Sequence, residues 1–338
     1  MNAKDKQLLM DMDEGVRRKA LALLWAYLGR VDLSDPTLEA EKLEVAPIAY
    51  TLNDALITMS LAFGNTTPLL SSYRISQSLI QAVSPELPPL LQLPYFNPDV
   101  VRAVEGETSR THMTVQDFMA LPVEVRRKRV CGPNLLTEAQ LRSAESIASQ
   151  LPCLKVERAF FKVHGERHVT PSSLVQFVVK ARMIPPGTAD VPPVSDQALE
   201  EPDKPPKQQS DEEANQKRIA PPLAHSPFFA RDHSPRWHLF LADGKQGKIV
   251  VPPTTFTTFD KTLFKEDGKP TFNVQTLSMT FGAPPQPGTY TFFMHLVCDS
   301  YLGLDTMMNV KMVVEDASKA EAIEDDGEIS EPDEGKIE

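Results

Sequence analysis

The segment Val175-Gln-Phe-Val-Val-Lys-Ala-Arg-Met183 alternates apolar and polar side chains along most of its length. Every second residue from Val175 to Met183 is apolar, whereas Gln176, Lys180 and Arg182 stand between them. A period of two residues places one set of side chains on one face of an extended chain. We therefore predict a half-buried β-strand here.

The second half of the chain contains six further segments of this kind. Their predicted ranges are 154–163, with an irregularity, 237–241, 248–251, 271–281, 289–298 and 307–314. Gly244–Lys248 is interpreted as a hairpin turn, and no helical pattern separates the strands. Seven short strands predict an antiparallel sandwich of immunoglobulin or fibronectin type III character. Tyr290 begins the sixth strand, where a tyrosine corner could lie.

Before Pro152 the apolar residues recur at helical spacing. Helices are predicted at 9–31, 38–63, 69–83, 97–105, 114–120, 122–129 and 137–150. The second of them begins after Ser34-Asp35-Pro36, a capping residue followed by proline. The predicted fold class is thus multidomain, α then β: a helical bundle at 1–110, a small helical unit at 111–152, the sandwich at 153–314 and a disordered acidic tail at 315–338.

Two segments have compositions that disfavour a packed core. Residues 185–227 hold ten prolines, eight acidic and four basic residues, and we interpret them as a mobile insertion inside the sandwich. The tail from Glu315 to Glu338 holds eleven acidic residues and two lysines, a net charge of −9 out of −11 for the chain. The remaining residues are close to neutral, which disfavours a nucleic-acid surface.

The sequence lacks the motifs of a catalytic or metal site. It has no phosphate-binding loop, no GxSxG elbow, no HExxH and no CxxC pair, so we predict neither an enzyme nor a cofactor. Cys298 is expected in the core, and His233 and His238 are expected to be structural. The run Arg126–Arg129 is interpreted as a solvated helix face. The apolar stretch Ala20–Leu28 is too short to cross a membrane, so no insertion by this chain is expected.

The acidic tail is the strongest candidate for a binding site in the sequence. Apolar residues interrupt its charge as contact points would, and Ser330 is placed for an acidophilic kinase. The predicted partner-binding residues are Ile323, Glu324, Asp325, Asp326, Glu328, Ile329, Glu331, Asp333 and Glu334. The turn His164-Gly165-Glu166-Arg167 is a second candidate, equally compatible with an ordinary solvated hairpin. Phe228 and Phe229 are expected to pack back onto the sandwich rather than to contact a partner.

Three segments together resemble the Sec63 (Sec-sixty-three) domain family. They are Lys19-Ala-Leu-Ala-Leu-Leu-Trp-Ala-Tyr-Leu-Gly-Arg30, Pro89-Leu-Leu-Gln-Leu-Pro-Tyr-Phe-Asn97 and Ala224-His-Ser-Pro-Phe-Phe-Ala-Arg-Asp-His-Ser-Pro-Arg-Trp237. The resemblance runs from about Val16 to Glu315. It implies a helical bundle, a helix-hairpin-helix-like unit at 111–152 and a fibronectin type III sandwich.

The family has two branches, membrane J-proteins of the endoplasmic reticulum translocon and large RNA or DNA helicases. The acidic tail, the proline-rich insertion and the missing helicase motifs favour the first branch, with the helicase branch and an unrelated adaptor as alternatives. The resemblance then implies partners: the protein-conducting channel for the sandwich, a basic cytosolic segment of a companion subunit for the tail, and other translocon membrane subunits. It also implies the cytosolic face of the endoplasmic reticulum membrane. The chain has no His-Pro-Asp triplet, so chaperone stimulation is not assigned to it, and we expect a C-terminal fragment or a truncated gene product.

Overall fold

The computed structural model describes residues 3–106, 111–200 and 218–320. Helices occupy most of the chain before Pro152, and seven strands follow. The helices are α1 (Ala3–Met10), α2 (Gly15–Leu28), α3 (Pro36–Ala62), α4 (Thr66–Gln81), α5 (Pro98–Glu105), α6 (Val115–Ala120), α7 (Val123–Val130), α8 (Glu138–Ala148) and α9 (Asp196–Leu199). The strands are β1 (Leu154–Val163), β2 (Leu174–Met183), β3 (Trp237–Asp243), β4 (Lys248–Phe256), β5 (Val274–Gly282), β6 (Gly288–Cys298) and β7 (Thr306–Val314). The helical part followed by antiparallel sheets confirms the broad fold class.

The start of α3 is capped as its sequence predicts. The Asp35 carboxylate accepts hydrogen bonds from the backbone N–H groups of Thr37 and Leu38, at 2.8 and 3.3 Å, and Pro36 occupies the first turn. The first predicted helix, 9–31, is wrong as one element, because α1 and α2 replace it. The intervening residues 11–14 are Asp-Met-Asp-Glu. Negative charge is favourable at a helix N-terminus and unfavourable at a C-terminus, so this acidic segment suits the start of α2 better than the interior of a longer helix.

Helix α3 has 27 residues and is, within the three described ranges, the one helix long and apolar enough to cross a membrane by length and composition. Only 22% of the most apolar window of α3 is buried. One face lies against α4, where the amide of Asn53 donates to the carbonyl of Ser72 at 2.8 Å. The expectation that the chain does not insert into a membrane stays a prediction.

The strands form two antiparallel sheets with the orders β1-β2-β5 and β4-β3-β6-β7. Val175 and Phe177 of the first sheet share one buried core with Leu239 and Met294 of the second, so the sheets pack face to face. The predicted irregularity in the first strand is confirmed, since the register of β1 against β2 shifts between Val156 and Arg158.

Two local sequence predictions about the sandwich are confirmed. The Tyr290 hydroxyl donates to the carbonyl of Gln286, four residues upstream, at 3.0 Å, which is the arrangement of a tyrosine corner. Residues 244–247 form the turn between β3 and β4, and the Asp243 carboxylate accepts from the N–H of Lys245 at 2.7 Å. Gly247 has φ of +63°, a conformation in which glycine lacks the steric penalty of a side chain.

The described ends of the proline-rich insertion are held against the rest of the protein. The guanidinium of Arg182, whose residue is buried, donates to the carbonyl of Pro192 at 2.7 Å. On the returning side, Ile219 exchanges two backbone hydrogen bonds of 2.9 Å with Phe259. A buried guanidinium requires hydrogen-bond acceptors, and the carbonyl of Pro192 is one of them. This bond holds the first part of the proline-rich insertion against β2. Residues 201–217 lie outside the described residues, and the mobility predicted for the insertion stays a prediction there.

Three glutamines join the helical part to the loop between β6 and β7. Gln77 and Gln81 of α4 donate to the carbonyls of Cys298 and Ser300, at 2.8 and 2.7 Å. Gln92, in the short 3-10 helix Pro89–Gln92, exchanges two hydrogen bonds with the backbone of Leu302, at 2.8 and 3.0 Å. We call this region the glutamine junction. It holds one end of the sandwich against the helices.

Candidate functional site

The turn between β1 and β2 lies at the end of the sandwich opposite the glutamine junction. Strand β1 ends at Val163, Gly165 takes φ of +72°, and an isolated bridge pairs Val163 with Glu166. His164, Gly165 and Arg167 are exposed, and Glu166 is half-buried. The structure therefore places all four predicted docking residues together at an accessible turn.

The end of β7 reaches the same region. The N–H of Glu315, the residue after β7, donates to the carbonyl of Val169 at 2.8 Å. Nearby, the N–H of Ala283, which follows β5, donates to the carbonyl of Ser173 at 2.8 Å. The β1–β2 connection, the end of β5 and the end of β7 thus meet, and we call this region the free end of the sandwich.

Immediately after β7, residues 316–319 form a short capped helix at the free end of the sandwich. Asp316 caps the 3-10 helix Ala317–Lys319 by accepting from the N–H of Ser318 at 3.0 Å, and Lys319 pairs with Glu315 at 3.1 Å. The predicted tail site, from Ile323 to Glu334 and including Ser330, lies outside the described residues. Its binding and its phosphorylation stay predictions.

The free end carries charges of both signs. His164, Arg167 and His168 are exposed. One carboxylate oxygen of Glu166 is buried and has no hydrogen-bond partner among the residues that the structure describes.

Beside the glutamine junction lies a buried ionic cluster that sequence reasoning missed. Arg236 donates to the carboxylate of Asp299 at 2.7 Å, and the His233 ring nitrogen lies 3.3 Å from the same carboxylate. Tyr50 of α3 donates to it at 3.1 Å. Burial alone would raise the pKa of Asp299, yet the hydrogen bond and charge of His233 and the charge of Arg236 hold it well below its ordinary value.

The glutamine junction was also missed, although α4 carried a signal for it. Gln77 and Gln81 are four residues apart and lie on one helix face. Both are almost fully buried, with exposed fractions of 0% and 2%. Amides on an otherwise buried helix face require hydrogen-bond partners across an interface. The spacing could have indicated the contact but not the loop that provides the carbonyls.

Other residues singled out from the sequence have structural roles. Cys298 is fully buried, and burial raises the pKa of its thiol well above the ordinary value. His238 stacks on Tyr73 at 4.5 Å between ring centroids, and burial lowers its pKa to about 4. In the described ranges, no group of three or more His, Cys, Asp or Glu residues is placed to hold a metal ion.

The run Arg126–Arg129 is not a simple solvated face, and that interpretation is wrong for Arg126. This residue is buried, pairs with Glu145 at 2.6 Å and donates to the carbonyls of Met119 and Leu121. Its guanidinium therefore links α7 to α8 through Glu145. It also donates to the backbone carbonyls at the C-terminal end of α6. Arg127 pairs with Glu138 and Arg129 donates to the carbonyl of Val104 at 3.2 Å, so three of the four basic side chains bind within the protein.

Phe228 and Phe229 pack within the protein, as expected, but they pack against the helical part and not against the sandwich. The guanidinium of Arg30, just after α2, lies 4.4 Å from the ring centre of Phe228. The Phe229 ring lies 5.9 Å from that of Tyr50 in α3. An aromatic pair placed between the helical part and the sandwich was assigned to the wrong side, since sequence order places it nearer to the strands.

This architecture defines a class of protein: an α-helical part packed along one face and bonded to one end of a two-sheet antiparallel sandwich, with the β1–β2 turn exposed at the opposite end. The chain belongs to the Sec63 family, because the Sec63 Brl domain matches residues 8–311. It is 25% identical over 324 residues to the "Translocation protein sec63" of Schizosaccharomyces pombe, covering 94% of this chain and 49% of that protein.

Two further relatives represent the two branches. The chain is 23% identical to the "Protein translocation protein SEC63" of Saccharomyces cerevisiae, covering 89% of this chain and 48% of that protein. It is 21% identical to the "DExH-box ATP-dependent RNA helicase DExH12" of Arabidopsis thaliana, covering 91% of this chain and 12% of that protein. The chain thus spans about half the length of the Sec63 relatives that it matches.

Proposed function

We propose that this chain is a non-catalytic scaffold of the endoplasmic reticulum protein-translocation machinery. Its sandwich docks on the cytosolic part of the protein-conducting channel, and its acidic tail binds a basic segment of a companion subunit. Membership of the Sec63 family and the two yeast relatives named as translocation proteins support this assignment. The chain acts at the cytosolic face of the membrane, among other translocon membrane subunits.

The hydrogen bond between Glu315 and Val169 carries the proposal. It brings the start of the tail beside the β1–β2 turn, so the two proposed docking elements leave the sandwich at one end. The helices bond to the opposite end through the glutamine junction, and α4 also packs along the outer face of the β4-β3-β6-β7 sheet. Residues 153–314 act as a fibronectin type III-like unit that offers end loops to partners, a use of sandwich loops known from variable domains.

The two proposed docking elements would bind their partners through different interactions. His164, Gly165, Glu166 and Arg167 offer a small polar surface of defined shape, which suits a structured loop of the channel. Residues 321–338 contain nine acidic residues and one lysine, which suits an extended basic segment bound by charge. The screening length is about 10 Å at 0.1 M salt, so the tail contact is the more salt-sensitive of the two.

A comparison of co-purified partners tests the proposal. The tagged chain is incubated with detergent-solubilised endoplasmic reticulum membranes, beside a variant without 323–338 and an Arg167→Glu variant. We expect the deletion to lose the companion subunit and to keep the channel, and the substitution to do the reverse. If the deleted chain retains the companion subunit fully at low salt, the tail is not its binding site, and if neither partner is recovered, the scaffold proposal is wrong.

The alternative is an accessory domain of an RNA or DNA helicase, which the match to DExH12 over 91% of the chain favours. Against this alternative, Arg126 and Arg127 form ion pairs with Glu145 and Glu138, which reduces the positive charge available to bind phosphates. Electrophoretic mobility shifts with single-stranded RNA and DNA at low salt discriminate the two functions. Saturable binding by the intact chain would favour the helicase branch.

A further inference from the structure

Helices α2, α3 and α4 leave an open apolar groove of about 580 Å³ between them. One wall is the row Leu21, Trp25 and Leu28 on α2, and the other contains Leu52, Leu56 and Met59 on α3. These residues recur every three or four positions, so each row forms a continuous ridge along its helix. The volume lies in the range of small-molecule sites.

The lining of the groove selects an uncharged occupant. Its 14 lining residues include no Asp, Glu, His, Lys or Arg. A charged group placed there would lose its hydration without gaining an ionic partner. The outer lip is apolar as well, with Leu52 66% and Met59 54% exposed. Isolated apolar side chains are common on protein surfaces, but a continuous apolar lip around a groove indicates a binding surface.

Two polar atoms at the floor of the groove require a partner. Asn53 and Ser78 line the groove, and their residues are 2% and 1% exposed. The Asn53 amide nitrogen donates to the carbonyl of Ser72 and to the hydroxyl of Ser76, both at 2.8 Å. Within the described ranges, its carbonyl oxygen and the Ser78 hydroxyl have no hydrogen-bond partner. The Asn53 oxygen can only accept, so an occupant must bring a donor.

We propose that this groove binds an uncharged lipid alcohol, with its hydrocarbon body between α2 and α3 and its hydroxyl on Asn53 and Ser78. A hydroxyl can donate to the Asn53 oxygen and accept from the Ser78 hydroxyl, so it has both of the hydrogen-bonding functions that these two atoms lack. A fatty-acid anion lacks the donor and would be buried without a cation. Sterols and long-chain primary alcohols share the required chemistry, and the experiment separates these two sources.

The position of Trp25 provides a direct signal. Trp25 lines the groove, whereas the other tryptophan, Trp237, is buried in the sandwich core. Titration of the full chain with dehydroergosterol, which accepts excitation energy from tryptophan, should give saturable transfer at one site per chain. Trp25→Phe should abolish that transfer. Hexadecan-1-ol should compete if the site accepts both sources of the alcohol, and only sterols should compete if it is specific for a rigid body. Both results support the proposal.

Two matched tests examine the hydroxyl. The methyl ether of the sterol has the same body without the donor, and palmitate has the same chain as hexadecan-1-ol with a carboxylate. We expect about tenfold weaker binding of the ether, as for the loss of one buried hydrogen bond, and no competition by palmitate. Ser78→Ala should weaken the binding of dehydroergosterol and of its methyl ether several-fold alike, because the oxygen of each accepts from the Ser78 hydroxyl.

A matched pair of α3 variants locates the site. Ala55 is an exposed lining residue, and Thr58 is exposed on the same helix outside the lining. Ala55→Phe should fill the groove and abolish transfer, whereas Thr58→Phe should leave it unchanged, with both variants shown to be folded by circular dichroism. Equal binding of ether and alcohol, or no saturable binding, overturns the proposal. A chain dimer or a helical partner lost specifically in Ala55→Phe, without sterol binding, would identify a protein occupant and overturn it as well.

Discussion

The side-chain amide of Gln77 donates to the carboxylate of Asp305 at 3.0 Å, across the boundary between α4 and the loop that precedes β7. The same amide donates to the Cys298 carbonyl, so one glutamine holds both ends of this loop. Burial raises the pKa of Asp305 to about 6, although hydrogen bonds from Gln77 and the Cys298 N–H and the charge of Arg74 all act to lower it. The carboxyl group is therefore held in the folded protein at a cost when it is ionised.

This relationship predicts a pH-dependent contribution to stability. The pKa of Asp305 is raised above its ordinary value of 3.8, so folding takes up a proton between these values. The stabilising contribution is complete below about pH 4 and is lost as pH rises through about 6. We expect Asp305→Asn to stabilise the protein relative to the natural chain more at pH 7.5 than at pH 5, by about 1 kcal/mol or less, because the Asp305 residue is exposed and solvent screens its charge. Buried His238, whose pKa is lowered, opposes this trend in both proteins, and the comparison removes its effect. A difference in unfolding free energy that is equal at both pH values contradicts the prediction.

Gln92→Leu should weaken the glutamine junction. It leaves the buried N–H and carbonyl of Leu302 without their partner, at a cost of about 2 kcal/mol in the free energy of unfolding. Urea denaturation measures the change. Gln7→Leu, at an exposed residue of α1, is the control and should have little effect. Equal stability of the two variants would show that the Gln92 contacts contribute nothing.

Arg126→Ala should destabilise the protein by about 3 kcal/mol, because it leaves Glu145 and two carbonyls without their shared donor. Lys128→Ala, at an exposed position in the same helix, should change thermal stability little. If the Arg126 interactions are structural, neither variant changes RNA binding beyond that of the natural chain. Loss of RNA affinity in Lys128→Ala at unchanged stability would instead restore the interpretation of this run as a nucleic-acid patch.

At the free end of the sandwich, Arg167→Glu should weaken channel binding at least fivefold without changing the melting temperature, since the side chain is exposed. Lys245→Glu makes the same charge change in the β3–β4 turn and serves as the control. Binding to the purified channel in detergent is the measurement. Equal losses in both variants would indicate a general charge effect and not a docking site at 164–167.

For the tail, the expected signature is a steep fall in affinity for the companion subunit as salt rises from low to physiological concentration. Phosphorylation of Ser330 should strengthen binding through charge-assisted hydrogen bonds, and Ser330→Ala should lose only that gain.

The Ile329→Ser variant separates the contribution of charge from that of an apolar anchor in the tail. An unchanged affinity would mean that charge alone binds the tail, whereas a clear loss would mean that Ile329 is an anchor.

The periodicity of the sequence predicted the strands well, because a period of two along Val175–Met183 has one physical interpretation in a half-buried sheet. The caps and turns that depend on neighbouring residues, such as Asp35 and the 244–247 turn, were equally accessible. Contacts between distant segments were not. Nothing near Arg126 in the sequence indicates Glu145 as its partner, and the groove between α2 and α3 exists only once three helices are placed.

The candidate site divides in the same way. The turn 164–167 was predicted from local polarity, and its residues are together because they are consecutive. Its position beside Glu315 depends on the register of β7 against β6, in which Val314 pairs with Gly288. Local patterns do not determine which strands become neighbours, so the proximity of the two docking elements required the structure.

The glutamine junction has a consequence for the order of events during synthesis. Gln77 and Gln92 bind groups that lie 221 and 210 residues later in the chain. Domains generally begin to fold from the N-terminus as they leave the ribosome. The helices are therefore complete long before their acceptors at 298–302 exist, and the amides of Gln77, Gln81 and Gln92 must remain in water until then. The closing step of folding waits for nearly the whole chain, which gives chaperones a defined interval in which the helical part is made but not yet docked.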